Sequence, residues 1–553
     1  MNIFTLCKKY LLQHKLQLSI YVAIAIAGTA ISILSPYIIG DFLDNLIEGG
    51  DAGVILRFSM IFGSISVLGI VKNYSTSIMR VKMSIQMSYS LNRNAVRHIQ
   101  NLSLSYINNK DSAYLNQRIN SDSGSLIGFC ISVMQSIITN IILLIVPFIL
   151  LLSMNWFVAI LLAGFLVLYA GLYVLFKKPL YKASFASLEA YNKFFAGIFE
   201  QLKYVKFIKV NANQSEMNSR ADESFIGMKK TAIHHQKVSY VYSGLFGFIS
   251  TIAQIILFVV GGLQIINGNF TIGMFTIFTS YFNMMLTSSR YFFGLGAYYQ
   301  QTLVAHDRIK EIFENIPEGL GHTVINSISK IELLDVTFSY SGKNDDSTVM
   351  EAVSELNTAF IKGKIYAIAG SNGAGKSTII NLLIGLYIDE YDGIITYDDI
   401  DIRQIDMTTA RKNLIGFSEQ EPLLINDSIK YNLGLRDSNT EGPDDQIKSL
   451  ERYIKILNME EFISKNTLDF EINEKNTNTS GGEKQKISIL KVLRKNTDVM
   501  IFDEPTSALD TQTTKKFIEY LHEIKRDKII IIITHDKFVT EQCDEVMEIM
   551  KSV

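Results

Sequence analysis

Repeated apolar runs of membrane-spanning length fill residues 1–320, and no other feature restricts the fold as strongly. Hydrocarbon offers the backbone no hydrogen bonds, so a segment crossing it must be a helix or part of a closed barrel. Leu18–Ile39 is long enough to cross ~30 Å of hydrocarbon at ~1.5 Å per residue, which selects the helix. Further runs near Val54–Ile78, Ile137–Met154, Trp156–Phe176, Gly244–Ile266 and Ile272–Leu286 bring the expected spans to six. Lys8, Lys9 and Lys15 precede the first run, as they would in a secretory signal. The run exceeds the roughly 7–15 apolar residues of such a signal, however, and no small-residue cleavage site follows.

Charge orients the spans. The loops at Asp41–Gly53, Asn155 and Asn267–Phe270 are short and contain no Lys or Arg. Arg80–Asp122 and Lys177–Tyr240 are long and rich in both, which puts them and the termini in the cytoplasm. Leu91, Val96, Ile99 and Leu102 keep a helical period, so the membrane helices are expected to continue beyond the bilayer. Their tips fall near Asp111–Asp122 and Ile208–Ala221, which are too polar for hydrocarbon and placed to touch a soluble domain.

Composition points to such a domain. Hydrophobic residues make up 48% of the 553 and mean hydropathy is +0.20, yet 19% of residues are charged, as in a membrane part joined to a soluble part. A net charge of −2 gives no case for nucleic acid as partner. Cys7, Cys130 and Cys543 have neither metal spacing nor a disulfide framework, and read as reduced thiols. Ala305–Glu318 reads as a charged amphipathic helix ending at Pro317-Glu318-Gly319, and a Ser/Asn/Gly stretch follows to Lys330. The expected division is a membrane domain at 1–320, a linker at 321–330 and a soluble domain at 331–553. Ile331–Tyr340 alternates as a strand and Lys528–Thr534 reads as a buried one; strands alternating with helices imply an α/β fold with a largely parallel sheet.

Within that domain, Gly370-Ser371-Asn372-Gly373-Ala374-Gly375-Lys376-Ser377-Thr378 fits the phosphate-loop pattern without a mismatch. A strand-like run, Lys364–Ala369, precedes it and a helix-like run, Thr378–Leu386, follows. Glycines let the backbone approach closely, and successive N–H groups at a helix start attract phosphate. Lys376 is expected on the β- and γ-phosphates and Ser377 on Mg²⁺. A second motif, Val499-Met500-Ile501-Phe502-Asp503-Glu504-Pro505, ends a hydrophobic strand in two carboxylates at the sheet edge where α/β folds bind ligands. Asp503 is expected to hold Mg²⁺ through water and Glu504 to take a proton from an attacking water.

These residues resemble the nucleotide-binding domain of ATP-binding cassette (ABC) transporters. Thr479-Ser480-Gly481-Gly482-Glu483-Lys484-Gln485 resembles the family signature LSGGQ, Ser507-Ala508-Leu509-Asp510 its SALD loop, and Thr534-His535-Asp536 its switch histidine. Gln420 matches the glutamine loop, and Tyr340 stands where an adenine-stacking aromatic is expected. The amino-terminal half resembles the exporter type: six spans in one chain, a segment around Leu115, Arg118 and Asp122 like the first coupling helix, and Glu474 at the acidic position before the signature. The resemblance implies an α-helical transmembrane domain of six long helices followed by an α/β P-loop NTPase domain.

It also implies a mechanism. Two chains pair head to tail, with ATP held between the phosphate loop of one and Ser480-Gly481-Gly482 of the other. Glu504 acts as general base, His535 contacts the γ-phosphate, Gln420 links Mg²⁺ to the coupling surface, and Asp510 belongs to the dimer-facing loop. The expected partners are a second copy, or a related half-transporter, the lipid bilayer, and an amphipathic export substrate (peptide, lipid or drug). The expected location is a bacterial plasma membrane with the nucleotide-binding domain in the cytoplasm. A non-transporting ATPase that gates a channel or senses a ligand is the alternative, and an importer subunit is disfavoured because importers usually carry spans and cassette on separate chains.

The departures from the pattern are Thr479 for leucine and Glu483 for glutamine. The first changes packing, and the second adds an acidic group near the nucleotide. A span begins almost at once, so no amino-terminal cysteine peptidase is expected, and the stop at Val553 is expected to curtail the terminal strands and helix. Phe275, Phe278, Tyr281, Phe282, Met284, Met285, Tyr291 and Phe292 in the last span and its continuation fit either an adaptable apolar cavity or a packing and lipid-facing surface. Lys72 is a costly charge inside the second span, as a functional group or snorkelling toward the cytoplasm. His234-His235 reads as a solvated helix face.

Overall fold

The structure is a computed structural model and describes residues 3–108, 115–116, 118–315, 317–319, 321–340, 350–435, 443–472 and 479–549. The expected acidic position at Glu474, and part of the expected first coupling helix, lie outside the described residues. The chain forms two compact units, Met1–Arg97 with Ala113–Glu314, and His98–Ser112 with Asn315–Val553.

The first unit is helical. After a short helix α1 (Ile3–Gln13) come α2 (Lys15–Ile47), α3 (Ala52–Ile99), α4 (Ser123–Met154), α5 (Trp156–Lys203), α6 (Gln214–Ile266) and α7 (Ile272–Glu314). Among the described residues five helices are long and apolar enough to cross a membrane: Lys15–Ile47, Ala52–Ile99, Arg118–Met154, Trp156–Lys203 and Gln214–Ile266. The sixth expected span opens α7, whose serines and threonines dilute its apolarity. Several of their hydroxyls donate back to the preceding turn, Thr279 to Phe275 O at 2.9 Å and Ser289 to Met285 O at 2.9 Å, whereas the buried Ser288 hydroxyl has no partner among the described residues. The expected charged helix from Ala305 is the end of this continuous 43-residue α7 rather than a separate element. Phe278, Tyr281, Phe282 and Met285 are buried in a cluster with Leu162, Tyr169 and Leu257, so this part of the aromatic stripe packs helices.

Among the described residues the second unit holds nine strands: β1 (Lys330–Tyr340), β2 (Met350–Ile361), β3 (Lys364–Gly370), β4 (Tyr391–Tyr397), β5 (Ile400–Asp401), β6 (Ile415–Ser418), β7 (Val499–Asp503), β8 (Ile529–Ile533) and β9 (Glu545–Ile549). An antiparallel sheet runs β2-β1-β4-β5 and a parallel one runs β6-β7-β8-β3-β9. In β7 and β8 successive residues enter opposite cores. Val499, Ile501, Ile529, Ile531 and Ile533 face the cluster shared with the antiparallel sheet, whereas Met500, Phe502, Ile530 and Ile532 face the cluster of α-helices beyond. Burial on both faces is why β8 is an unbroken isoleucine run rather than an alternating one.

Residues 98–108 belong to this unit. The His98 Nε2 lies 3.0 Å from Asn315 O, Glu318 N donates to Asn101 O at 2.8 Å, and the Ser105 hydroxyl donates to the Glu390 carboxylate. Leu104 packs on the antiparallel-sheet core. The segment from Gly321 is tied down as well: Thr323 N donates to Gln404 O at 2.9 Å and Asp406 N to Thr323 O at 2.9 Å.

Candidate active site

The parallel register aligns the strand ends that carry the motifs. Asp503 pairs with Ile533, and Ile368 pairs with Ile533 from the other side, so the residues after β3, β7 and β8 emerge along one carboxyl edge. Gly370 ends β3, and Gly375 caps the next helix, α8 (Lys376–Leu383). Gly373 and Gly375 have φ of 79° and 90°, where side chains are strained, and a Cβ on Gly375 would lie 2.2 Å from Ala352 O. The loop therefore takes the shape in which its N–H groups can converge on an anion.

Lys376 is buried and donates to Gly370 O at 2.7 Å and Ser371 O at 3.2 Å; its Nζ is 3.1 Å from His535 Nε2. The same His535 nitrogen lies 3.3 Å from Glu504 Oε1. A cation, a titratable imidazole and a carboxylate from three strand ends thus meet at one point. Thr378 meets the Tyr340 hydroxyl at 2.9 Å. The Tyr340 ring sets its edge against Phe338 and Tyr387, so the tyrosine braces the start of α8 from β1.

Asp503 is buried at the end of β7, and its carboxyl is pushed up to about 6. Burial is the main cause; Glu504 and Glu419 add like charge, and Lys376 opposes them. Glu504 has φ 49° and ψ 46°, a left-handed conformation that costs a non-glycine residue of order ~1–2 kcal/mol. Its N–H donates to Ile533 O at 2.9 Å, and its carbonyl accepts from Gln485 Nε2 at 2.7 Å and from the Ser507 hydroxyl at 3.0 Å. The Ser507 hydroxyl also lies 3.0 Å from Gln485 Oε1. Gln485 is buried in α9 (Gly481–Lys495), the helix that starts at the signature. The sequence reading includes Gln485 in the signature stretch but gives it no role; the available signal is a long amide on the signature helix about one and a half turns from Ser480.

Ser480 caps α9. Its hydroxyl accepts from Glu483 N at 3.2 Å, while the Glu483 carboxylate accepts the Ser480 N–H at 2.6 Å and hydroxyl at 2.8 Å. This reciprocal capping box explains Glu483: the acid serves its own helix start, where the helix dipole favours negative charge. Thr479 is buried. Among the described residues no hydrogen bond or ion pair joins Ser480, Gly481 or Gly482 to Gly370–Thr378. Gln420 is exposed beyond β6, Ser377 is exposed at the start of α8, and Asp510 caps α10 (Thr511–Ile524) by accepting from Thr513 N at 2.9 Å.

Two family models match the chain: "ABC transporter transmembrane region" over residues 18–289 and "ABC transporter" over residues 353–507. The chain belongs to the ABC transporter family. It is 28% identical over 529 residues to a lactococcin-G-processing and transport ATP-binding protein of Lactococcus lactis subsp. lactis, covering 94% of this chain and 73% of that one. It is 26% identical over 558 residues to an ATP-dependent lipid A-core flippase of Desulfotalea psychrophila, covering 98% and 93%. A solved structure of a bacterial Atm1-family ABC exporter with ATP bound superposes with a TM-score of 0.82 over 98% of this chain and 95% of that one. At 19% identity that likeness concerns the fold, a helical transmembrane domain followed by an α/β nucleotide-binding domain. This ABC protein is a multi-pass membrane ATPase of the exporter type that binds and hydrolyses ATP, with its nucleotide-binding domain in the cytoplasm.

Proposed function

We propose that this half-transporter exports an amphipathic peptide, lipid or drug by alternating access, driven by ATP hydrolysis at two composite sites of a homodimer. The observation that carries the reading is the meeting of Lys376, His535 and Glu504 at the carboxyl edge of the parallel sheet, in the same chain as six long helices. In this reading the glycine-shaped loop and Lys376 hold the β- and γ-phosphates. Glu504 accepts a proton from the attacking water at its carboxylate, and His535, between Glu504 and Lys376, contacts the γ-phosphate. Asp503 and Ser377 offer the hard oxygen donors that Mg²⁺ takes, with Gln420 as a further oxygen; the ion supplies charge neutralisation on the phosphates. Tyr340 stands beside the start of α8, where the nucleotide base is expected. Ser480-Gly481-Gly482 of a second copy closes each site, and Asp510 lies on the facing loop. A homodimer is supported because Glu504 and His535 are both present in this chain, so neither site would lack its base.

Proteoliposomes test the proposal. ATP and Mg²⁺ should drive accumulation of an amphipathic peptide, lipid or dye, and Glu504→Gln should abolish it while retaining nucleotide in a closed dimer. Lys376→Ala should lose nucleotide binding. ATP hydrolysis without movement of any such compound would favour a channel gate or sensor, and equal ATPase rates in wild type and Glu504→Gln would remove Glu504 as the base.

A further inference from the structure

The chain places a further acid beside Asp503. Glu419 follows β6, and the parallel register pairs Ser418 with Phe502, so Glu419 stands level with Asp503 on the adjacent strand. Neighbouring strands lie about 4.8 Å apart. Glu419 is exposed at the carboxyl edge, whereas Asp503 is buried there.

Strand alternation sets which way each acid faces. In β6, Ile415 and Phe417 turn to the core shared with the antiparallel sheet. Ser418 turns to the other side and donates to the Ser488 hydroxyl of α9 at 3.0 Å. In β7, Ile501 takes the first side and Phe502 the second, which returns Asp503 to the first. Glu419 continues the β6 order by one residue and shares that side. The same core holds Ile379 and Leu382 of α8, so both carboxylates face the helix that starts with Lys376 and Ser377. Glu419 is near enough to add to the like charge on Asp503.

The charges at this edge do not balance. Asp503, Glu504 and Glu419 bring three carboxylates to a site whose buried cation is Lys376. The Glu504 carboxylate lies 3.3 Å from His535 Nε2. Asp503 is only 8% exposed, yet among the described residues neither its carboxylate nor that of Glu419 has a hydrogen bond or ion pair. A buried carboxylate without a partner is costly, and a second acid beside it adds repulsion. A bare triphosphate, itself an anion, makes both worse. A divalent cation relieves both at once.

We propose that Glu419 is a further residue of the Mg²⁺ site, an outer carboxylate beside Asp503 that accepts from the hydrated ion and makes nucleotide binding conditional on the metal. Mg²⁺ keeps several waters when it binds, and acids that receive hydrogen bonds from those waters tune its affinity. Nucleotide without metal meets Glu419 as repulsion, and the metal complex meets it as attraction. The effect of this one side chain therefore changes sign with the metal, which a purely structural role does not produce. The inference rests on the reading of Asp503 and Ser377 as the Mg²⁺ site.

The test reads binding rather than turnover. A fluorescent, non-hydrolysable ATP analogue is titrated onto the full chain in nanodiscs, first in EDTA and then at stepped Mg²⁺ concentrations. Glu419→Gln should bind the analogue roughly 1.5- to 5-fold tighter in EDTA. The same variant should need roughly tenfold or more Mg²⁺ for half-maximal tightening. Glu419→Asp keeps the charge on a shorter stem, and should retain the EDTA value while recovering part of the Mg²⁺ response. Glu421→Gln removes an equal charge two residues farther from the edge, and should change neither measure. Asp503→Asn should lose most of the Mg²⁺ response. Three results would overturn the inference alone: Glu419→Gln shifting both measures in the same sense, Glu419→Gln shifting neither, or Glu421→Gln matching it. A wild-type Mg²⁺ response in Asp503→Asn would instead overturn the reading of the metal site, and this inference with it.

Discussion

Gln485→Ala probes how Glu504, the proposed general base, is held. The Glu504 carbonyl accepts from Gln485 Nε2 at 2.7 Å and Ser507 Oγ at 3.0 Å, and the Ser507 hydroxyl is 3.0 Å from Gln485 Oε1. Truncation takes one of two donors from a partly buried carbonyl, a loss of about 0.5–1.5 kcal/mol. The conformation at stake is already strained, with Glu504 at φ 49°. The displaced backbone carries the carboxylate that faces His535 at 3.3 Å. If the whole loss falls on the aligned conformer, kcat for ATP hydrolysis drops by roughly 2- to 13-fold. Nucleotide affinity should change little, because none of these atoms belongs to the phosphate loop. Steady-state ATPase in nanodiscs, paired with fluorescent-nucleotide titration, separates the two. Ser507→Ala should produce part of the same loss, and the double variant should be non-additive, as expected for atoms sharing one network. An unchanged kcat, or a fall in kcat matched by an equal rise in nucleotide Kd, would refute the positioning argument.

Three further outcomes follow from the same geometry. Because Asp503 ionises near 6 in the folded protein and the unfolded carboxyl near ~3.9, the folded state holds an extra proton between these values. The group therefore costs stability above pH 6, and the cost is relieved as pH falls toward 4. If Asp503 holds Mg²⁺ as proposed, it does so as the carboxylate, so Mg²⁺ affinity measured by calorimetry with a non-hydrolysable nucleotide should fall as pH drops through 6, and Asp503→Asn should flatten that dependence. Glu483→Ala removes the acceptor of the Ser480 N–H and hydroxyl, and should lower stability by about 0.5–2 kcal/mol in thermal unfolding; Glu483→Gln, which keeps an acceptor oxygen, should lose less. Gly375→Ala puts a Cβ 2.2 Å from Ala352 O at φ 90°, and nucleotide titration should show lost binding with helix content by circular dichroism retained.

What could be read from the amino acids alone divides by the range of the forces involved. The phosphate loop was legible because its shape is set locally, by glycines at positive φ and a helix that begins at once. The run Ile529–Ile533 was legible because a strand buried on both faces leaves no position for a polar residue. The later part of α7 read as a separate helix because its composition turns charged from Ala305, whereas the backbone continues unbroken to Glu314. Glu483 read as a departure near the nucleotide, although its own cap accounts for it once the helix start is seen three-dimensionally. Gln485 meets the carbonyl of a residue 19 positions away, and only the packing of α9 against the end of β7 brings the two within 2.7 Å. A consequence follows for how such a site works. Glu504 is held by Ile533 O from β8 on one side and by Gln485 from the signature helix on the other. The proposed proton acceptor is therefore anchored to the helix whose amino terminus carries Ser480. Changes that tilt α9 act on Glu504 through Gln485, a side chain to which the signature motif gives no role of its own.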